Sequence, residues 1–247
     1  SRADIQPFGL VLDESRQTGL KLVENQPPDA ETVRLFTAIS TEAWVQKPPD
    51  LDSAEHYARR AVNMAEVLGT PVEICYALNA LSYVFRARGY FRERIQIEQR
   101  RLTLSQDPRF GDTHERANIL MDAALALTNV GEYAQALQHL LEAERLAVQV
   151  QDLDQQCSIL TFQSRCHIQM DEWEQVIKIE EKWRALAKRF PKLFKLVSAH
   201  CQQLGVNASV HARRGEFEQA AVLRDESLAF MLGIYGSEEA WQRGQYF

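Results

Sequence analysis

The sequence has no GxxxxGK[ST] phosphate loop, no GxGxxG, no HExxH and no GxSxG elbow. The nucleotide sites, zinc-protease sites and activated serines that those patterns build are therefore not expected. Cysteine is scarce: four in 247 residues, too few for a disulfide framework and suited to a reducing, intracellular setting. No uninterrupted apolar run approaches the ~18–20 residues that cross a bilayer, and no signal peptide is visible. A basic field is missing too. The formal net charge is −6 and the pI about 5.6, which does not invite nucleic acid. Only 11 Gly and 8 Pro interrupt a chain that is 45% hydrophobic, as a folded, helix-rich protein requires. The chain opens SRADIQ, without an initiator Met, which suggests a segment of a larger protein.

What the chain does contain is a phrase said several times. GEYAQAL fills 131–137, GEFEQAA fills 215–221 and DEWEQVI fills 171–177. Gly89 opens GYFRERI, and Pro49 opens a degenerate PDLDSAEH, so the anchors stand at intervals of 40, 42, 40 and 44 residues. Eleven residues before each of the last four anchors come Leu78, Leu120, Leu160 and Leu204. Four residues after each Leu come the small Ser82, Ala124, Ser164 and Ala208. Two residues after each anchor come the aromatic Phe91, Tyr133, Trp173 and Phe217. A fixed period of this length marks a repeat architecture.

Each repeat reads as two helical stripes around the G-E-Y turn. In the best copy Tyr133, Ala136, Leu137, Leu140, Leu141 and Ala143 step at three and four residues and share a helix face. The small residue of the first helix admits the second, the aromatic closes the corner, and Gly relieves the backbone where the first helix ends. A lone hairpin cannot bury such stripes, so hairpins must stack. Leu120, Ala124, Gly131, Tyr133 and Ala136, and again Leu204, Ala208, Gly215, Phe217 and Ala220, resemble the tetratricopeptide (TPR) pattern. The usual TPR period is about 34 residues; the longer one here adds about a turn to each helix and resembles the TPR arrays of bacterial LuxR-type activators and related signalling regulators. The resemblance implies an all-α fold, a right-handed α-α superhelix of about five hairpins spanning residues 30–232. Residues 1–29 are expected to carry a partial helix of a preceding repeat (10–24), and 233–247 the start of another helix, capped by Ser237.

Two groups of residues compete for chemical roles. Cys166-His167 and His200-Cys201, with Cys157, have the look of metal ligands. But Cys75, Cys157 and Cys201 all precede a repeat Leu by three, where Ala117 stands in the remaining copy, and His167 and His211 share a position with Phe85 and Leu127. Small or flat core fillers are the expectation, with no metal, no cofactor, no catalytic residue and no enzyme activity. The basic stretches RARGYFRERIQIEQRR (86–101) and KWRALAKRFPKLFK (182–195), the latter with Trp183, Phe190 and Phe194, read either as anionic-partner surfaces or as solvated helix faces. The acidic whole favours the solvated face, with no nucleic acid bound and no membrane insertion.

The resemblance also implies that the first helices line a concave groove. Its inward positions are Tyr76, Asn79, Tyr83 and Arg86; then Asn118, Met121, Leu125 and Thr128; then Ser158, Thr161, Arg165 and Ile168; then Gln202, Gly205, Ser209 and Ala212. Tyr, Asn and Arg suit a peptide backbone or a small polar ligand. The chaperone-tail clamp of the family needs lysines that are missing here. One repeat is odd: Arg94, Glu98 and Arg101 stand where Ala136, Leu140 and Ala143 do. Either the charges pair on a wet face or the helix turns Phe91, Ile95 and Leu102 inward. Tyr90, Ile97 and Leu104 then form an exposed strip for dimerisation or docking, or the fold simply covers them. The expected function is a cytoplasmic, non-catalytic sensor or adaptor module that binds a protein, peptide or small ligand. The alternative is a self-association scaffold, such as a homodimer.

Overall fold

Helices begin where aspartate can cap them. In the computed structural model, which describes residue 18 and residues 29–46, 48–190 and 199–235, helix α1 (Ala30–Val45) follows Asp29 and α2 (Leu51–Leu68) follows Asp50. Helix α5 (Thr113–Thr128) follows Asp112 and α7 (Leu153–Gln169) follows Asp152. Each of the four carboxylates accepts from the amide three residues on, at 2.7 to 3.0 Å, which satisfies an amide the helix itself leaves free. Helix α3 (Pro71–Arg88) instead starts on proline, whose missing N–H costs nothing in the first turn. The partners are α4 (Phe91–Ser105), α6 (Tyr133–Gln149), α8 (Trp173–Arg189), α9 (Ala199–Arg213) and α10 (Phe217–Tyr235). No strand occurs among the described residues. The expected helix over 10–24 and the Ser237 cap lie outside them.

Odd- and even-numbered helices pair into five hairpins. Residues 1–110 and 111–247 form two compact units, the first holding two hairpins and the second three. In the second unit α5, α7 and α9 touch in sequence and make one layer, while α6, α8 and α10 make the other. The repeated turn is a left-handed cap. Gly131 has φ +84° with nothing within 4 Å of where a Cβ would sit, so only backbone strain excludes other residues there. Asp171, the equivalent anchor, accepts φ +58° as a non-glycine. The amide after each anchor then donates to the carbonyl five residues back: Tyr90 to Phe85 at 2.8 Å, Glu132 to Leu127 at 3.1 Å, Glu172 to His167 and Glu216 to His211 at 2.9 Å. This is the Schellman pattern.

In unit 1, Val33, Phe36, Ala61, Leu78, Leu81 and Phe85 share one buried cluster. In unit 2, Ala136, Leu140, Ala143 and Ala147 of α6 pack on Ile159 and Cys166 of α7. Leu141 is 57% exposed, one residue past that stripe. The corner aromatics divide: Trp173 lies under the Arg213 guanidinium at 4.8 Å, whereas Phe217 is 71% and Phe91 37% exposed.

The odd repeat resolves in a third way. Arg94, Glu98 and Arg101 are all buried, at 1%, 1% and 0% exposure. Glu98 accepts from the Ser82 hydroxyl and from Arg101 Nη1 at 2.8 Å, and Arg94 Nε donates to Ser82 Oγ at 3.3 Å. Mutual pairing, not solvent, supports the charges, so α4 need not rotate. The consequence corrects the expected strip at two of its residues: Ile97 is 9% exposed and belongs to the core and Leu104 packs on that core, while Tyr90 stays 45% exposed with its ring edge-on against Phe85.

Leu160→Ala should lower stability by ~2–5 kcal/mol, as for other buried leucines, and Leu120→Ala by less, because Leu120 is half-buried. Gly131→Ala should cost about 1 kcal/mol and Asp171→Gly gain a similar amount. Glu98→Ala, which strips buried Arg101 of its carboxylate, should cost ~3–5 kcal/mol. Chemical denaturation checks all four.

Candidate functional site

In unit 1 the expected groove residue Tyr83 of α3 packs against a residue the sequence did not flag. Trp44 of α1 stacks on Tyr83 with rings 5.6 Å apart and 2° from parallel. The Arg86 guanidinium lies over the same Tyr83 ring at 5.0 Å. Tyr76, two turns back along α3, is 50% exposed, and Asn79 lies between them, half-buried. Trp44 Nε1 and Asn79 Oδ1 are both buried and find no hydrogen-bond partner among the described residues. A donor and an acceptor are thus left unmet beside an aromatic and cationic platform, an expensive arrangement for a finished core.

The groove positions of unit 2 are mostly used internally. Asn118 Oδ1 accepts from Gln155 Nε2 at 2.6 Å, which ties α5 to α7. Thr128 Oγ1 donates to the Leu125 carbonyl at 2.8 Å. Met121 packs on the core cluster of α6 and α7. Thr161 is 2% exposed and donates to the Cys157 carbonyl at 3.1 Å, so it is core rather than groove. Ser158 is half-buried; Arg165 is exposed, its guanidinium 5.6 Å from the Phe162 ring. The side chains of Gln202, Cys201 and His200 lie outside the described residues.

The histidines are not flat fillers. His167 Nδ1 lies 2.6 Å from Glu172 Oε2, and His211 faces Glu216 with Nδ1 and Glu180 with Nε2, the latter at 3.2 Å. Each histidine sits where Phe85 meets Tyr90 in the first unit, so the same two turn positions touch at the Gly89, Asp171 and Gly215 turns. That pairing, residue −4 with residue +1 of the anchor, was available from the sequence as a His–Glu repetition. The cysteines do behave as packing: Cys75, Cys157 and Cys166 are fully buried. Burial pushes the Cys157 thiol up to about 12 and Cys166 to about 11, far from a thiolate nucleophile or ligand. The basic stretches are largely paired. Arg88 bridges to Asp52 and Glu55, Arg100 to Glu66, and Lys182 to Glu144; Trp183 is 3% exposed core. Phe194 lies outside the described residues.

Two clefts open between successive second-layer helices of unit 2, each floored by a repeat leucine. The cleft between α6 and α8 over Leu160 has a volume of about 290 Å³ and a basic lip, Lys182 and Arg189. The cleft between α8 and α10 over Leu204 has about 230 Å³ and holds Glu180, Trp183, Gln203, Asn207 and Glu226.

Solved structures with this arrangement identify its class. The chain is similar to BtubC (BKLC) from P. vanneervenii, with 15% identity over 93% of this chain and 91% of that one, at a TM-score of 0.75. It is similar to a signal-transduction ATPase with numerous domains (STAND) from Pyrococcus horikoshii that carries a tetratricopeptide repeat sensor. There the identity is 15%, covering 95% of this chain but 36% of that one, at a TM-score of 0.69. It is also similar to YrrB, described as a TPR protein with an unusual peptide-binding site, with 12% identity over 92% of this chain and 97% of that one, at 0.53. No protein-family model matches the sequence, and no curated protein matches it. The fold is therefore that of a tetratricopeptide-repeat array, and no helix among the described residues is long and apolar enough to cross a membrane.

The turn pairs give a pH signature. Hydrogen bonds from His211, then Arg214, hold the Glu216 carboxyl below its ordinary value. A depressed carboxyl stabilises the fold fully above the ordinary carboxylate range, and that contribution is lost as pH falls through the folded value. Glu216→Gln should therefore flatten the acid limb of a melting-temperature profile and leave its slope above neutral pH unchanged.

Proposed function

We propose that this chain is a non-catalytic binding module, the sensor or adaptor region of a larger bacterial signalling or transcription regulator, which takes an extended peptide segment of a protein partner along the first-layer helices of unit 1. The observation that carries the reading is the unmet pair on the platform. An extended peptide offers C=O and N–H groups in alternation, and Trp44 Nε1 and Asn79 Oδ1 need one of each. The stacked Trp44 and Tyr83, with Arg86 above, supply the aromatic and arginine anchors that concentrate binding energy. The sensor in the STAND protein and the peptide-binding site described for YrrB are consistent with this use of the fold. The burial of Ile97 in the core counts against self-association through Tyr90, Ile97 and Leu104.

Peptides selected from a random phage-displayed library against the whole chain provide the probe. Tyr83→Ala and Arg86→Ala should each weaken the selected peptide by more than ~1 kcal/mol in calorimetry, with circular dichroism unchanged. Selected peptides whose affinity ignores both substitutions, and Trp44→Ala as well, would place the site elsewhere.

A further inference from the structure

The α8–α10 cleft of unit 2 departs from its own repeat in one position. The residue just before the repeat leucine is Ala77, Ile119 and Ile159 in the preceding hairpins, each 0% exposed. In the last described hairpin it is Gln203, 1% exposed. Its Nε2 is well used, donating to Asn207 Oδ1 at 2.8 Å and to Ser164 Oγ at 3.1 Å. Its Oε1 is buried and has no hydrogen-bond partner among the described residues. An isoleucine would bury cleanly here, as it does one and two repeats earlier. The amide instead leaves an acceptor unmet in the wall of a cavity of about 230 Å³, several times the ~30 Å³ share of one water.

The remaining lining sets the sign of what would fill it. Two carboxylates, Glu180 and Glu226, face one cation, Arg184. Arg184 is committed to Glu180, its Nε 2.9 Å from Oε1, and His211 approaches the other oxygen of the same carboxylate. Glu226 has no ion-pair partner among the described residues and stands exposed at the rim. Trp183 adds an aromatic wall. The cleft thus offers an unmet buried acceptor, a rim carboxylate and an indole face, and its carboxylates outnumber its cations two to one.

We infer that this cleft is a binding site for a primary ammonium group, whose N–H donors satisfy Gln203 Oε1 and whose charge is met by Glu226. It lies in the other unit from the platform of Trp44 and Tyr83 and does not depend on that reading. The ammonium can belong to a free alkylamine or to the lysine side chain of a protein partner.

Side-chain NMR of the whole chain tests it, with 1,5-diaminopentane, Nα-acetyl-lysine methylamide and neutral 1-pentanol as probes. Saturable shifts of the Gln203 amide and Trp183 indole signals are expected with one or both amines and not with the alcohol. A response to the diamine alone marks a free-amine site, and a response to the capped lysine marks a lysine-reading one. Glu226→Gln, on the exposed rim, should weaken the amine roughly fivefold. Gln203→Ile should abolish the response and raise the melting temperature, since it restores the side chain of the earlier repeats. No saturable shift, an equal response to the alcohol, or an unchanged affinity in Glu226→Gln overturns the proposal. Should Gln203→Ile fail to fold, Glu226→Gln alone decides.

Discussion

The four hairpins anchored at Gly89, Gly131, Asp171 and Gly215 are each closed by one backbone hydrogen bond, from the amide after the left-handed turn residue to the carbonyl five residues before it. The bond ends the first helix, reverses the chain and fixes where the second helix begins. Because it is made by backbone alone, it constrains conformation at the anchor and leaves the flanking side chains free. At three of these turns the flanking side chains touch: as rings in Phe85 and Tyr90, and as an imidazole and carboxylate in His167 with Glu172 and His211 with Glu216. The usual Schellman companion is an apolar contact between those positions. Here the geometry is held constant while the chemistry at the corner changes from apolar to ionic.

A constant register places the same helical position in the same environment each time, so a buried substitution is visible as a departure. The largest is the set Arg94, Glu98 and Arg101. Replacing such a buried ion cluster by well-packed hydrocarbon is often neutral or stabilising, and the next hairpin does so with Ala136, Leu140 and Ala143, each 0% exposed. The ionic version provides direction. Ser82, the small residue that lets α4 approach α3, also hydrogen-bonds Glu98 and Arg94. A one-position slip of α4 would keep some apolar contact but break those bonds. The cluster therefore specifies a single register for a helix whose sequence is otherwise poor in apolar residues.

The parts of the fold that are local were legible in the sequence. The period, the turns, the repeat leucines and the small residues depend on backbone conformation and helical spacing, both of which single residues announce. The misreadings came from pairings between distant residues. Charge was assumed to face water, which pushed Ile97 outward; the partner that keeps Glu98 inside is Ser82, sixteen residues away. The register, one residue past Leu160, puts Thr161 in the groove, whereas its side chain is buried and its hydroxyl is satisfied within its own helix. Trp44 was missed because the first turn uses no glycine. The Asp50 amide donates there to the Ala43 carbonyl at 2.9 Å, seven residues back where the other turns reach five, so the register of the later repeats does not carry through Pro49 onto α1.

The same logic separates packing from binding. Asn79 occupies the position that Thr161 fills two repeats later, and Gln203 the position of Ile159. Thr161 closes on its own helix and Ile159 needs no partner, so the fold has satisfactory residues for both places. Asn79 and Gln203 each bury an oxygen that nothing described in the protein meets. A domain whose folding free energy is only ~5–15 kcal/mol can carry few such atoms, at ~1–3 kcal/mol each. Of the buried polar atoms left without a hydrogen-bond partner among the described residues, these two stand near an aromatic residue and charged side chains, Asn79 one and two turns before Tyr83 and Arg86, Gln203 with Trp183 and Glu226. In a repeat protein the folding problem is solved identically several times over. Positions where one copy gives up a solved answer for an unmet polar group are therefore where the two proposals place a ligand.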